Sequence, residues 1–82
     1  MYRIRYESSV RKELDSIPDR YYQRVEEAIM ALGLEPRPFG VKKIRPDDWR
    51  IRVGDYRILY EIDDKRKMVT IYRVKHRKDA YR

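Results

Sequence analysis

The hydrophobic pattern of the chain begins with an alternation of apolar and charged side chains. In the stretch MYRIRYE, residues 1–7, Tyr2, Ile4 and Tyr6 alternate with two arginines. Successive side chains of a β-strand point to opposite faces of a sheet, so a period of two predicts a strand here.

The next two segments have the spacing of three and four that places apolar residues on one stripe of a helix. The first begins at a capping serine, Ser8 or Ser9, and ends at Pro18. The second begins near Asp19 and ends at Gly33, a residue typical of helix C-caps. The two stripes are formed by Val10, Leu14 and Ile17, and by Tyr22, Val25, Ile29 and Leu32. We therefore predict a helical hairpin.

The C-terminal half of the chain has the pattern of strands and turns. It follows a loop, EPRPFG at residues 35–40, that is rich in Pro and Gly. Three strands are predicted over residues 49–53, 56–62 and 68–74. Gly54 and Asp55 suit a two-residue type II′ turn, because its first position requires a positive φ. The order β-α-α-β-β-β predicts one α+β domain over residues 1–82, with a two-helix hairpin packed on one face of an antiparallel sheet.

The hairpin register assigns side chains to the two faces of the sheet. With this turn, Arg52 pairs with Arg57 and Arg50 pairs with Leu59. The face that meets the helices carries the apolar residues Trp49, Ile51, Val53, Tyr56, Ile58, Tyr60 and Ile62. The opposite face carries Arg50, Arg52, Arg57, Leu59 and Glu61.

Arginines that face each other across a hairpin repel, and a sequence selected for stability alone would alternate charges there. Planar guanidinium groups bind phosphate through two parallel hydrogen bonds. We therefore interpret the Arg52–Arg57 pair as a site for a polyanion. The alternative is a solvated outer face on which arginine stems cover the sheet.

The charge balance also favours an acidic partner. The chain has 21 Lys and Arg against 14 Asp and Glu, a net charge of +7. The C-terminal stretch RVKHRKDAYR adds His76 and Tyr81 to a basic run, a combination that suits an RNA backbone and base stacking. A frayed charged tail is the alternative. The candidate RNA-binding residues are Lys42, Lys43, Arg73, Lys75, Lys78 and Arg82.

Other site chemistries have little support in the composition. The chain has no cysteine, one histidine and scattered acidic residues, so no disulfide, metal site or cofactor is expected. No apolar run reaches the length of a membrane span, and the first residues lack the apolar core of a signal peptide. We therefore expect a cytoplasmic protein without a membrane partner.

Three motifs resemble one family. They are LEPRPFGVKKI, WRIRVGDYRILYEIDD and VTIYRVKHRKDAYR, and they are similar to the RelE/ParE superfamily of toxins from type II toxin–antitoxin modules. The family fold is a strand, a helical hairpin and a β-meander, the order predicted above. RelE-like members cleave mRNA in the ribosomal A site, are neutralised by an antitoxin, and contact operator DNA through the antitoxin complex.

The resemblance also implies roles for individual residues. Arg50 and Arg52 match two catalytic basic positions, and Arg57 matches an arginine that contacts phosphate. Arg77 matches a second arginine of this kind in the family, and Tyr81 matches the C-terminal tyrosine of the family. Some relatives have a catalytic histidine at the position of His76.

Metal-independent RNA cleavage needs a base for the ribose 2′-hydroxyl, cations for the phosphorane and an acid for the leaving oxygen. Arginine is a poor base, and the best-known RelE type has lysine where this chain has Arg50 and Arg52. His76 and Tyr81 are therefore the preferred bases, ahead of Glu61. Two other functions remain open: gyrase inhibition, as in the ParE branch, and an inactive toxin homologue that acts as an antitoxin-binding co-repressor.

Overall fold

The computed structural model describes residues 1–80, and within them two main helices pack on a five-stranded sheet. The elements in chain order are β1 (Arg3–Tyr6), α1 (Val10–Asp15), α2 (Asp19–Ala31), β2 (Lys42–Arg45), β3 (Asp48–Val53), β4 (Tyr56–Asp63), β5 (Met68–His76) and α3 (Arg77–Ala80). The α+β fold class is confirmed. The short elements β2 and α3 are additions to the predicted order.

The sheet is mixed rather than wholly antiparallel. Its strand order is β1-β5-β4-β3-β2, and β1 runs parallel to β5 with Ile4 beside Val69. Hairpin turns fix the direction of β3, β4 and β5. The direction of β1 is instead set by the helical crossover, since α1 and α2 carry the chain back over the sheet before β2 begins.

Strand β2 was missed because its residues give no alternation of apolar and polar positions. All four residues of KKIR are exposed, as expected of a short edge strand. A turn at Pro46 and Asp47 connects β2 to β3, and Lys43 pairs with Trp49.

The core lies between α2 and the inner face of the sheet, the face that packs against the helices. Val25 and Ile29 of α2 and Ile58 and Tyr60 of β4 are each no more than 1% exposed. The Tyr60 hydroxyl donates a hydrogen bond of 2.7 Å to the Pro36 carbonyl, which ties the loop after α2 to the core. Burial of each large aliphatic side chain of this kind contributes about 1.5–3 kcal/mol to folding.

Two glycines have different structural roles. Gly54 has a φ of 59°, while the φ of Asp55 is not positive, which matches the predicted type II′ turn. Gly33 does not adopt the left-handed conformation expected of a C-cap, and Leu32 caps α2 instead. A Cβ on Gly33 would lie 3.0 Å from the Tyr2 carbonyl oxygen, so its role is to allow close approach to the backbone just before β1.

Helix α1 covers an open edge of β5. Strand β1 ends opposite Ile71, so the rest of β5 lacks a neighbouring strand on that side. Glu13 of α1 fills the gap, since its Oε1 accepts a hydrogen bond of 2.7 Å from the Val74 amide. Its Oε2 lies 3.2 Å from Lys75 Nζ. No helix within residues 1–80 is long and apolar enough to cross a membrane.

Candidate active site on the outer face of the sheet

The predicted arginine pair forms at the turn end of the β3–β4 hairpin. Arg52 lies opposite Arg57, and Arg57 lies opposite Lys75 of β5, so all three project from the outer face of the sheet. Arg52 is exposed, whereas Arg57 is only 6% exposed. A guanidinium keeps its charge at neutral pH, so the sheet holds a buried positive charge beside two others.

A depression of about 190 Å³ lies over this pair. We call it the arginine cleft; its lining residues are Arg52, Gly54, Asp55, Arg57 and Arg77. The backbone amide of Arg77 donates a hydrogen bond of 2.7 Å to the Asp55 carbonyl, which fixes the start of α3 to the hairpin turn. Arg77 Nη1 lies 3.8 Å from Asp55 Oδ1. The fold thus brings together three of the predicted catalytic arginines.

A second basic row lies next to the cleft. Leu59 separates Arg50 of β3 from Arg73 of β5, and Lys42 of β2 pairs with Arg50. Because paired residues share a face, these basic side chains extend the positive surface across four strands. Arg50 lies two residues from Arg52, about 7 Å along the strand.

A β-bulge adds a tyrosine that the sequence analysis missed. The register between β4 and β5 shifts between Leu59 and Tyr60, and Tyr72 is the extra residue on β5. It lies on the outer face with Glu61 and Asp48, and burial raises the pKa of its phenol. The signal for the bulge was an interruption of the apolar alternation between Ile71 and Val74.

The far end of the outer face is acidic. Glu61 pairs with Asp48, and Arg45 Nε lies 2.8 Å from Asp48 Oδ2. Glu61 is four residues from Arg57 on the same strand, about 13 Å away. The third candidate base is therefore outside the arginine cleft.

His76 lies on the opposite side of the sheet from the arginines. It pairs with Tyr56, whose side chain faces the helices, and the two rings meet edge to face with centroids 5.2 Å apart. Its Nδ1 accepts a hydrogen bond of 3.2 Å from the Lys78 amide. The structure thus separates His76 from the other predicted catalytic residues it describes.

Two further sequence predictions concern Trp49 and the C-terminal residues Tyr81 and Arg82. Trp49 packs against the core as expected, with Arg37 and Lys43 stacked on its ring at 5.1 and 5.5 Å. Lys43 therefore lies on the inner face, unlike Lys42. The predicted roles of Tyr81 and Arg82 fall outside the described residues. Within residues 1–80, no group of three or more His, Asp or Glu side chains is arranged to hold a metal ion.

Comparison with known proteins identifies the family. Residues 4–81 match the model of the ParE toxin of the parDE type II toxin–antitoxin system. Toxin RelG of Mycobacterium tuberculosis is 39% identical over 85 residues, which cover 99% of this chain and 97% of that protein.

Solved structures agree with this match. A chain of the archaeal RelE–RelB complex from Pyrococcus horikoshii OT3 superposes with a TM-score of 0.81 and 32% identity, covering 93% of this chain and 94% of that one. A chain of the toxin–antitoxin complex RelBE2 from Mycobacterium tuberculosis gives a TM-score of 0.80 and 34% identity, covering 92% and 96%. The chain therefore belongs to the RelE/ParE superfamily of toxins from type II toxin–antitoxin modules.

Proposed function

We propose that this toxin is an endoribonuclease that cleaves mRNA in the ribosomal A site and so inhibits translation. The observation that carries the proposal is the arginine cleft, in which the buried Arg57 lies opposite Arg52 and next to Arg77. Such a site is suited to a phosphodiester, because fixed cations stabilise the charge that develops on phosphorus during cleavage.

The proposed reaction is an attack within the RNA strand. A base takes the proton of a ribose 2′-hydroxyl, and the O2′–P bond forms as the P–O5′ bond breaks. The products are a 2′,3′-cyclic phosphate and a 5′-hydroxyl that has gained a proton. Arg52, Arg57 and Arg77 would bind the non-bridging oxygens, and Arg50 would hold the adjacent part of the strand.

The positions of His76 and Glu61 support a choice among the three candidate bases. His76 lies on the inner face, and Glu61 lies about 13 Å from Arg57 along the strand. Neither is suited to take a proton from a ribose in the arginine cleft. Tyr81, four residues after Arg77 in the chain, is our proposed base, because it matches the C-terminal tyrosine of the family.

We also propose an antitoxin as the partner of this chain. The related structures include complexes of RelE with RelB, and the chain has a net charge of +7. An acidic, amphipathic antitoxin segment would neutralise this charge and keep RNA from the cleft. Mass action would then stabilise the small fold of the toxin. The toxin would contact operator DNA only within the antitoxin complex.

The test is cleavage of a defined mRNA with and without programmed ribosomes, followed by mapping of the 5′ ends. We expect cuts within the A-site codon only in the presence of ribosomes. The Arg57→Gln variant should cleave at least about 100-fold more slowly than the wild type. The control is Arg66→Gln, because Arg66 is exposed in the turn after β4, away from the arginine cleft. This variant should cleave at the normal rate.

A different result would favour a second function. The matched family model describes a ParE toxin, and inhibition of DNA gyrase is the activity that the ParE resemblance implies. Absence of RNA cuts from folded protein, together with inhibition of gyrase supercoiling, would contradict the nuclease proposal and support this alternative.

A further inference from the structure

A second depression lies on the inner side of the same hairpin turn, between β3, β4 and α2. Its volume is about 170 Å³, enough for one planar nucleobase. We call it the aromatic pocket; its walls include Tyr21, Arg24, Gly54, Asp55, Tyr56 and His76. The proposed nuclease chemistry does not use this pocket.

Three aromatic rings define the shape of the pocket. The Tyr21 and Tyr56 rings are 6.2 Å apart and tilted by 52°, and His76 meets Tyr56 edge to face. Tyr21 is 38% exposed and stands at the rim. Aromatic faces of this kind stack on nucleobases with little sequence preference.

The rim of the pocket is polar and of mixed charge. Arg24 of α2 and Asp55 of the turn supply a hydrogen-bond donor and an acceptor. A Cβ on Gly54 would lie in van der Waals contact with Arg24 Nη1, at 3.9 Å, so the turn and the Arg24 guanidinium are neighbours at the rim. A base has an apolar face and a polar edge, so it could pack on the rings and still form hydrogen bonds with Arg24 and Asp55 at the rim.

The aromatic pocket and the arginine cleft share one wall. Gly54 and Asp55 line both depressions, one on each face of the sheet. A single strand that places a phosphate in the cleft can therefore turn around the tip of the hairpin and place a neighbouring base in the pocket.

We propose that the aromatic pocket binds a nucleobase of the RNA whose phosphate lies in the arginine cleft. This inference rests on the proposed function and extends it, because it assigns Tyr21, Tyr56 and His76 to substrate binding. It also gives His76 a role that suits its position on the inner face.

The experiment is an NMR titration of the full chain with adenosine 5′-monophosphate, compared with ribose 5-phosphate. We expect both probes to shift the signals of Arg52 and Arg57, and the nucleotide alone to shift those of Tyr21, Tyr56 and His76. The base should increase affinity at least about fivefold, as expected from one stacked base.

Matched variants separate the pocket from the cleft. Tyr21→Ala should reduce the affinity for the nucleotide to that for ribose 5-phosphate, and Arg24→Gln should weaken it as well. Tyr6→Ala is the control. Tyr6 is 39% exposed, almost the same as Tyr21, but it lies on the edge strand β1, outside the aromatic pocket.

The two proposals fail in different ways. Equal affinity for both probes, with shifts at the arginines only, would overturn the base pocket and leave the anion site intact. Absence of shifts at the arginines with either probe would overturn the phosphate site of the proposed function. Shifts at the three aromatic residues with an antitoxin peptide but not with the nucleotide would also overturn the base pocket and assign it to protein docking.

Discussion

Arg57 lies directly opposite Arg52 across the β3–β4 hairpin, and it is 6% exposed whereas its neighbour is open to solvent. Two like charges in paired positions weaken a sheet. The pairing of Arg52 with Arg57 therefore works against the stability of the free toxin. An anionic ligand over the cleft would offset this repulsion.

Replacement of the exposed member of this pair should make the free protein more stable. We expect Arg52→Thr to increase the free energy of unfolding by about 0.2–1 kcal/mol, because it removes a like-charge pair and introduces a residue that favours strands. Urea unfolding measures the change. The matched control is Arg3→Thr on β1, which pairs with Met68. A loss of stability specific to Arg52→Thr would contradict this account of the pair.

The salt dependence of RNA binding should show whether Arg57 contacts a phosphate. For a short single-stranded RNA, we expect Arg57→Gln to reduce the slope of log K against log[salt] by about 0.7, the value for one lost phosphate contact. Arg57→Lys should keep the slope but bind more weakly, since lysine cannot make the bidentate contact. An unchanged slope for Arg57→Gln would show that this side chain does not contact phosphate.

Glu13 should stabilise the fold through the edge of β5. Glu13→Gln removes the negative charge of the carboxylate that accepts a hydrogen bond from the Val74 amide and contacts Lys75 Nζ. We expect a loss of about 1–2 kcal/mol, the difference expected when a charged hydrogen-bond acceptor becomes neutral at a partly buried site. Thermal unfolding measures it. Glu26→Gln, at an exposed position of α2, is the control and should change stability little.

Asp64 should make the stability of the protein depend on acid pH. Hydrogen bonds from Arg37 and then Tyr2 hold the pKa of this carboxyl below its ordinary value of 3.8. A depressed pKa in the folded state gives stability that is complete above pH 3.8 and decreases as the pH falls through the lower folded value. Asp64→Asn should therefore be less stable than the wild type at pH 6, and the difference should narrow below pH 4.

The control for this prediction is Asp15→Asn, at an exposed position of α1. Unfolding curves in urea at several pH values test it. A constant difference between Asp64→Asn and the wild type across the acid range would show that the stabilisation does not depend on ionisation of this carboxyl.

Local chemistry made the arginine pair predictable. A glycine with positive φ, followed by Asp55, fixes a two-residue turn, and the turn fixes every pairing along β3 and β4. The alternation of apolar and charged residues then assigns each side chain to a face. The position of Arg52 opposite Arg57 follows from these short-range rules alone. Trp49 faces the core for the same reason.

The position of His76 required the tertiary structure. Its face depends on the bulge at Tyr72, which shifts the alternation of β5 by one residue. The sequence places His76 next to Arg77, but the strand directs its ring towards Tyr56 and the helices. Adjacency in the chain therefore gave no information on which side of the sheet the imidazole would lie.

The sequence by itself determined the two main helices, the strands β1, β3, β4 and β5, the register of the β3–β4 hairpin and the row of arginines, because each depends on neighbours within a few residues. The tertiary structure decided the parallel pairing of β1 with β5, the edge strand β2, the burial of Arg57 and the approach of Arg77 to Asp55. These features depend on packing between segments that are distant in the chain. Their energies come from contacts that no local pattern encodes.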